Sequence, residues 1–485
     1  MENKKAINKL KKLKIIFIVI CTFFCIPSIV YIIYKGNILN LNSSFSMFYS
    51  GYEEKVTNVK IISGLLFTLI FSGITYLYFL ILKNQKLIFK NIKDVIFFVI
   101  IISIIFTIIL PITSTDIFYY IGTGWSEARY GINPYYTSIN DLITQNPEIL
   151  NDEIMLKAST LEWSSQKIVY GPIWPLICKI LSSICCGNLG IALIIYKIFN
   201  LCLHILNTYF IYRITKNKKI FALIYGINPL ILFQGLSNVH NEILVIFFSV
   251  VSLYFFVRKK KILLTLLFLA LATGVKYYPI LLAPFIVLYY YKNEKITKKL
   301  MFCVIGALFF ITIIAIFYTF YIQNINIFRG ILDQQQKFSN CLYTVLAIEN
   351  INLAFMINKI CTICFMGIYV ICIIKIIFTK KTYNFSNYIR NYNYLLLIFI
   401  FTVITNFESW YILWLFPTIM WLKSKQIINI LYISISVEIA NVVYYMLYES
   451  YEFSIYYCIL IFMTMLFMYS NKIKNIKIKK YLEEK

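Results

Sequence analysis

An aspartate directly after a long apolar run, a histidine in a short polar turn and a lysine between two apolar half-runs are the residues of this chain best set to do chemistry. Asp116 lies in Ser114-Thr115-Asp116-Ile117-Phe118-Tyr119-Tyr120, followed by Gly122, Gly124, Arg129 and Gly131-Ile132-Asn133-Pro134-Tyr135. A half-buried carboxylate at a membrane interface has a raised proton affinity and can take a proton from a hydroxyl nucleophile, so Asp116 reads as a general base. Capping of the following helix by Ser114 or Asp116 is the structural alternative. It leaves the glycines and aromatic residues clustered behind Asp116 unexplained.

Three further polar breaks accompany it: Tyr170-Gly171-Pro172, Asn238-Val239-His240-Asn241-Glu242 and Lys276-Tyr277-Tyr278-Pro279. His240 is one of two histidines; the other, His204, falls within an apolar run and reads as a buried hydrogen-bonding residue. Lys276 either snorkels to lipid headgroups or, lying between two half-spans, meets a phosphate. The aromatic residues of Glu408-Ser409-Trp410-Tyr411-Ile412-Leu413-Trp414 form either an interfacial belt or a platform for a sugar ring or polyprenyl chain, with Glu408 set to hydrogen-bond sugar hydroxyls.

The elements that must position these groups are membrane helices. Of 485 residues 60% are hydrophobic, and the mean hydropathy is +0.76, which excludes an ordinary soluble domain. Apolar stretches separated by short polar breaks run the length of the chain, the signature of a multi-span helical protein. The net charge of +25 does not indicate a nucleic-acid partner, because the basic residues sit between apolar spans rather than on one groove of a soluble domain. Most of the twelve cysteines lie in apolar stretches as small hydrophobes. Cys361 and Cys364 form a CxxC without the other ligands of a metal site, so no metal is expected. Residues 1–14 are lysine-rich and precede the run Ile15 to Tyr34, which is too long for a signal-peptide core and reads as an uncleaved first span.

Placing the basic segments inside puts about 33 of the 46 Lys and Arg residues on the cytoplasmic side. Glu53 and Glu54, Asp152 and Glu153, Glu408 and the Glu449 to Glu452 segment then lie outside. The path closes with about 14 spans and both termini cytoplasmic if Tyr170 to Cys186 does not cross but lies as an interfacial or re-entrant helix, giving a long outer loop at 113–188. Ile262 to Tyr291, cut at Lys276, becomes two short spans meeting at the outer side. The fold class expected is all-α, a polytopic transmembrane helical bundle.

The order of these motifs resembles the GT-C superfamily of integral-membrane glycosyltransferases, most of all the bacterial polyprenyl-phosphate-mannose-dependent mannosyltransferases. The resemblance is carried by Asp116 with Asn133-Pro134-Tyr135, by Tyr170-Gly171-Pro172, by Asn228-Pro229 with His240-Asn241, by Lys276-Tyr277-Tyr278-Pro279 and by Trp410-Tyr411-Ile412-Leu413-Trp414. It implies a catalytic core at 95–425, preceded at 1–94 by a basic segment and two extra spans and followed at 426–485 by a span pair and a basic tail. It implies that Asp116 is the catalytic aspartate and that the donor is a sugar on a polyprenyl phosphate, with mannose as the sugar and a glycan or glycolipid as acceptor. Displacement at the anomeric carbon would then invert it, with Lys276, His240 and Arg129 facing the phosphate. Tyr119, Asn133, Tyr170, Asn241, Glu408, Trp410 and Tyr411 would hold sugar or acceptor. Two departures from the family pattern stand out: no second acidic residue pairs with Asp116, and Ser409 stands where relatives often have Pro. No cofactor and no nucleotide loop are expected.

The rival class is a transporter or flippase of lipid-linked sugars, which would string ionisable groups across the bilayer midplane. Only Lys197 and Lys375 fit that pattern here; the other candidates gather on one side. A polymerase or ligase of lipid-linked polysaccharide would want a larger basic outer loop. The expected setting is therefore the cell membrane, with the active site extracytoplasmic.

Overall fold

The computed structural model describes residues 2–26, 28–29, 58–111, 113–341, 343–378 and 383–447. Glu53 and Glu54, the Glu449 to Glu452 segment, the tail from Lys472 and the last apolar run lie outside the described residues. Within them the chain is helical, with no strand beyond an isolated bridge between Ser339 and Asn406.

In chain order, α1 (Glu2–Phe23), α2 (Asn58–Ile88) and α3 (Ile92–Ile108) lead to a loop that carries α4 (Asp116–Tyr130), α5 (Ile139–Gln145), α6 (Glu153–Ser159) and α7 (Ile173–Ser183). Then come α8 (Leu189–Ile214), α9 (Lys219–Gly226), a π-helical segment (Ile231–Ser237), α10 (Glu242–Tyr254) and α11 (Ile262–Val275). A 3-10 turn (Tyr278–Leu282) enters α12 (Ala283–Tyr290), followed by α13 (Ile296–Tyr318), α14 (Arg329–Gln334), α15 (Thr344–Glu349), α16 (Ile351–Ile377) and α17 (Phe385–Thr402). A 3-10 segment (Ser409–Trp421) and α18 (Ser424–Leu447) complete the described chain. Asparagines start several helices: Asn91, Asn188, Asn350 and Asn384 each accept a backbone N–H from the first turn of α3, α8, α16 and α17.

Among the described residues, four helices are long and apolar enough to cross a membrane: Gly64–Ile88 within α2, α8, α13 and α16. A fifth crossing arises if α9 and the segment Ile231–Ser237, bent by 58°, count as one broken span. The described residues therefore do not confirm 14 crossings: some expected runs lie outside them, and others are interrupted, as where the helix stops at Val275 and resumes only after Tyr277. Tyr170 to Cys186 contains just the 11-residue α7, about 16 Å long and half the thickness of a hydrocarbon core. Among the described residues, the main apolar core draws members from Phe17 in α1 to Val442 in α18.

The broken span is held by a polar stripe on α8. At the ends of α3, α9 and the π-segment, backbone carbonyls lose their helical partners and need donors in an apolar setting. Lys197 Nζ donates to the carbonyls of Ile109 (2.7 Å), Ser237 (2.9 Å) and Leu236 (3.3 Å). Asn200 Nδ2 donates to Gly235 and His240 O, and Asn207 Nδ2 to Tyr225 Oη and Ile243 O. His204 Nε2 lies 3.0 Å from Gly226 O; since a carbonyl only accepts, that nitrogen carries the proton. His204 is the buried hydrogen-bonding residue expected, and Lys197 is a clamp, not part of a midplane charge pathway. Lys197→Met removes a donor from three carbonyls and is expected to destabilise the folded protein by about 1–3 kcal/mol, read as a lowered Tm in detergent.

The candidate active site

Asp116 opens α4, with its N–H bound to Ser114 Oγ at 3.2 Å. Ser114 therefore serves the helix start, and the Asp116 carboxylate is left to other partners. Its Oδ2 accepts from Tyr120 Oη one turn on (3.2 Å), and Tyr120 Oη in turn meets Tyr170 Oη at 3.1 Å. The stretch leading to Asp116 is pinned to the His240 turn: Asn238 Nδ2 donates to Thr113 Oγ1 at 2.6 Å, and Gln234 Nε2 reaches Thr113, Ser409 and Glu438. His240 Nδ1 consequently lies 3.6 Å from Asp116 Oδ2, just beyond hydrogen-bond reach.

Two close backbone approaches fix the rest. At Gly124 in α4 an added Cβ would meet Cys178 O at 2.3 Å, so α4 packs on α7 only without a side chain there. At Gly171 a Cβ would fall 2.4 Å from Gly274 O, and the Gly171 N–H donates to Val275 O at 3.2 Å. The Tyr-Gly-Pro break is in this way locked, backbone to backbone, to the end of α11 and so to Lys276. Tyr277 Oη and Tyr135 Oη both donate to Tyr170 O, at 3.1 and 2.9 Å.

Asp116 lines a cavity of about 770 Å³. Its walls carry Tyr119, Tyr170, Trp163, Trp410 and Tyr411, the amides Gln166, Gln334, Gln336, Asn340 and Asn406, the carboxyls Glu162 and Glu408, and the cations Lys167 and Lys337. Aromatic faces with many amides and hydroxyl-binding groups suit a sugar, whose rings have apolar faces and polar rims.

Burial pushes the Asp116 carboxyl up to about 6, with Lys276 acting against the rise and Glu242 adding to it. Burial, reinforced by Asp116 and Glu162, also holds Glu408 well above the usual carboxylate range, and its Oε2 is buried without a hydrogen-bond partner. His240 is driven well below its ordinary value by burial and then by Lys276, so its imidazole is neutral.

Of the residues expected from the sequence, Asp116, Tyr119, Tyr170, Glu408, Trp410 and Tyr411 share this cavity. His240 and Lys276 sit behind its wall. The His240 ring stacks on Trp410 with centroids 3.8 Å apart, and the Lys276 ammonium bonds Glu242 while facing the rings of Tyr411 (4.9 Å), Tyr170 and Trp414 (both 5.6 Å). Neither is a bare cation at the cavity surface, against the expectation that both meet phosphate. Asn241 is fully buried, with neither polar side-chain atom hydrogen-bonded. Two expected residues are not brought to the cavity. Arg129 is exposed in the last turn of α4, about 20 Å along the axis from Asp116. Asn133 spends its amide on Tyr321 O at 2.7 Å, tying the loop to the end of α13. Reasoning from the sequence missed Trp163, Lys167, Glu162 and the 334–340 segment, which sit in polar loops of ordinary composition; the sole signal was an indole at Trp163 beside Glu162.

Helices of membrane-crossing length and a largely buried carboxylate in an aromatic, amide-lined cavity suit a membrane enzyme that handles sugars. Residues 42–292 match the family model described as alpha-(1->6)-mannopyranosyltransferase, N-terminal domain. The chain belongs to this mannosyltransferase family, bacterial and of the GT-C type. No curated protein and no solved structure matches it. The matched region holds Asp116, Tyr170, His240, Glu242 and Lys276, whereas the 334–340 wall and Glu408 to Trp414 lie beyond it.

Proposed function

We propose that the chain moves a mannosyl residue from a polyprenyl-phosphate sugar to a hydroxyl of a glycan or glycolipid acceptor, at the outer face of the cell membrane, with inversion and with Asp116 as general base. The observation that carries this reading is the Asp116 carboxylate, raised to about 6 and lining the sugar-sized cavity. The acceptor O–H gives its proton to Asp116 as its oxygen bonds the anomeric carbon. The C1–O bond to phosphate breaks on the opposite side, and polyprenyl phosphate leaves with the electron pair. Lys167 and Lys337 are the cations on the cavity wall, and they, rather than Lys276, His240 and Arg129, face the phosphate. Glu408 hydrogen-bonds sugar hydroxyls beside Trp410 and Tyr411. About 14 crossings with both termini cytoplasmic belong to the same reading, the shorter apolar helices pairing across their breaks.

The test is the product formed from a synthetic β-linked polyprenyl-phosphate mannose by the protein in detergent. An α-linked mannoside is expected, with the rate rising through an acid limb near pH 6 as Asp116 ionises. A β-linked product would rule out direct displacement, and a rate flat from pH 5 to 8 would rule out Asp116 as the base.

A further inference from the structure

We infer that Glu242 is a positioning residue for Asp116: it holds the Lys276 ammonium to itself, so that the proposed base keeps a carboxylate free of any lysine or arginine partner. This rests on the reading of Asp116 as the base. Glu242 is the first residue of α10 and is fully buried. Its Oε1 takes both the Lys276 ammonium and the Trp414 indole N–H, the latter at 3.4 Å, while its Oε2 is buried without a hydrogen-bond partner.

Such a pair is a poor stability device. Two charges are desolvated, one carboxylate oxygen is orphaned, and apolar replacement of buried pairs is often neutral or stabilising. Its placement makes better sense as local electrostatics. Lys276 faces the rings of Tyr170 and Tyr411, both of which share the cavity wall with Asp116, yet no Lys or Arg nitrogen among the described residues lies within 4.0 Å of Asp116. The groups facing Asp116 are Tyr119 and Tyr120 on its own helix, Tyr170 and Glu162 from the loop, His240 just before α10 and Glu242 at its start, Lys276 just after α11, Glu408 just before the 409–421 segment and Tyr411 within it. Lys276 is the one cation among them. Unrestrained, it would pair with Asp116, hold it ionised and weaken it as a base.

The test is the pH dependence of mannosyl transfer from polyprenyl-phosphate mannose by the full chain. In Glu242→Gln the acid limb is expected to move down by about one pH unit, so that activity relative to the plateau rises up to ~10-fold below the wild-type limb. The plateau itself should fall, as a weaker base is slower. In Glu242→Gln with Lys276→Met, where both charges are gone, the limb should return towards the wild-type position. A Glu242→Gln limb that stays in place while kcat drops at every pH would mean that Glu242 is only structural, and would overturn the inference. A double variant that keeps its limb but loses donor affinity would assign Lys276 to the phosphate, also overturning it. If Glu242→Gln does not fold, Glu242→Asp is read instead: its shorter reach to Lys276 should move the limb in the same direction by a smaller step, and an unmoved limb sinks the idea. Failure of the underlying reading looks different, since Asp116→Asn would then keep the wild-type rate.

Discussion

Asp116→Asn is expected to lower kcat for mannosyl transfer by about 10²–10⁴-fold with little change in donor KM. Asparagine has nearly the same shape and its carbonyl can still accept the Tyr120 hydroxyl that Asp116 Oδ2 accepts at 3.2 Å, so the wall of the cavity is kept. What is lost is the proton acceptor. A stability measurement separates chemistry from damage. The folded-state value of Asp116, about 6, lies above its ordinary one, so folding favours the protonated form and native stability falls as pH rises through the carboxylate range up to about 6. Asn cannot ionise, so above that pH the variant should be at least as stable as the wild type. A variant that is folded, no less heat-stable at pH 7.5 and nearly inactive is the expected result, read by thermal unfolding in detergent beside steady-state kinetics.

Gly171→Ala is expected to be nearly as damaging by a different route. The new Cβ would sit 2.4 Å from Gly274 O, a backbone atom that cannot swing aside. The two chain segments must part, which strains the Gly171 N–H to Val275 O bond and shifts Tyr170 on one side and Lys276 on the other. Overpacking of this kind costs about 1–3 kcal/mol. A misplacement of about 1 Å at the site costs on the order of 10²-fold in rate, so kcat should fall further than the change in Tm alone suggests. Gly367→Ala in α16 is the control, since a Cβ there meets nothing within 4 Å; it should leave both rate and Tm essentially unchanged.

The polar breaks at 114–120, 170–172, 238–242, 276–279 and 408–414 were legible because each interrupts an apolar run, and a polar group there is costly enough to need a reason. Their mutual contacts were not. Gly171 against Gly274, or Asn238 against Thr113, are long-range approaches that leave no periodic trace in the sequence. The break at Lys276 could be read because the lysine and Pro279 mark it, and α11 does stop there, with extended backbone at Lys276. The count of crossings read from hydropathy is not confirmed by the described helices, since composition reports apolar length but not helix continuity. A similar blindness hid the partnership of Glu242. Beside a conspicuous His240 it read as a flank of the turn, and nothing local shows that Lys276, 34 residues on, takes its carboxylate. Arg129 shows the reverse error, a residue near Asp116 in sequence that the rise of α4 carries out of reach.

Transfer itself, as opposed to movement of an intact lipid-linked sugar, is the central claim, and the most direct measurement is stoichiometry in proteoliposomes holding the purified chain, polyprenyl-phosphate mannose and a mannan oligosaccharide acceptor. Free polyprenyl phosphate and elongated acceptor are expected to appear together in equal amounts, and both should cease with Asp116→Asn. Donor that crosses the bilayer intact, with no polyprenyl phosphate released and no acceptor lengthened, would contradict it.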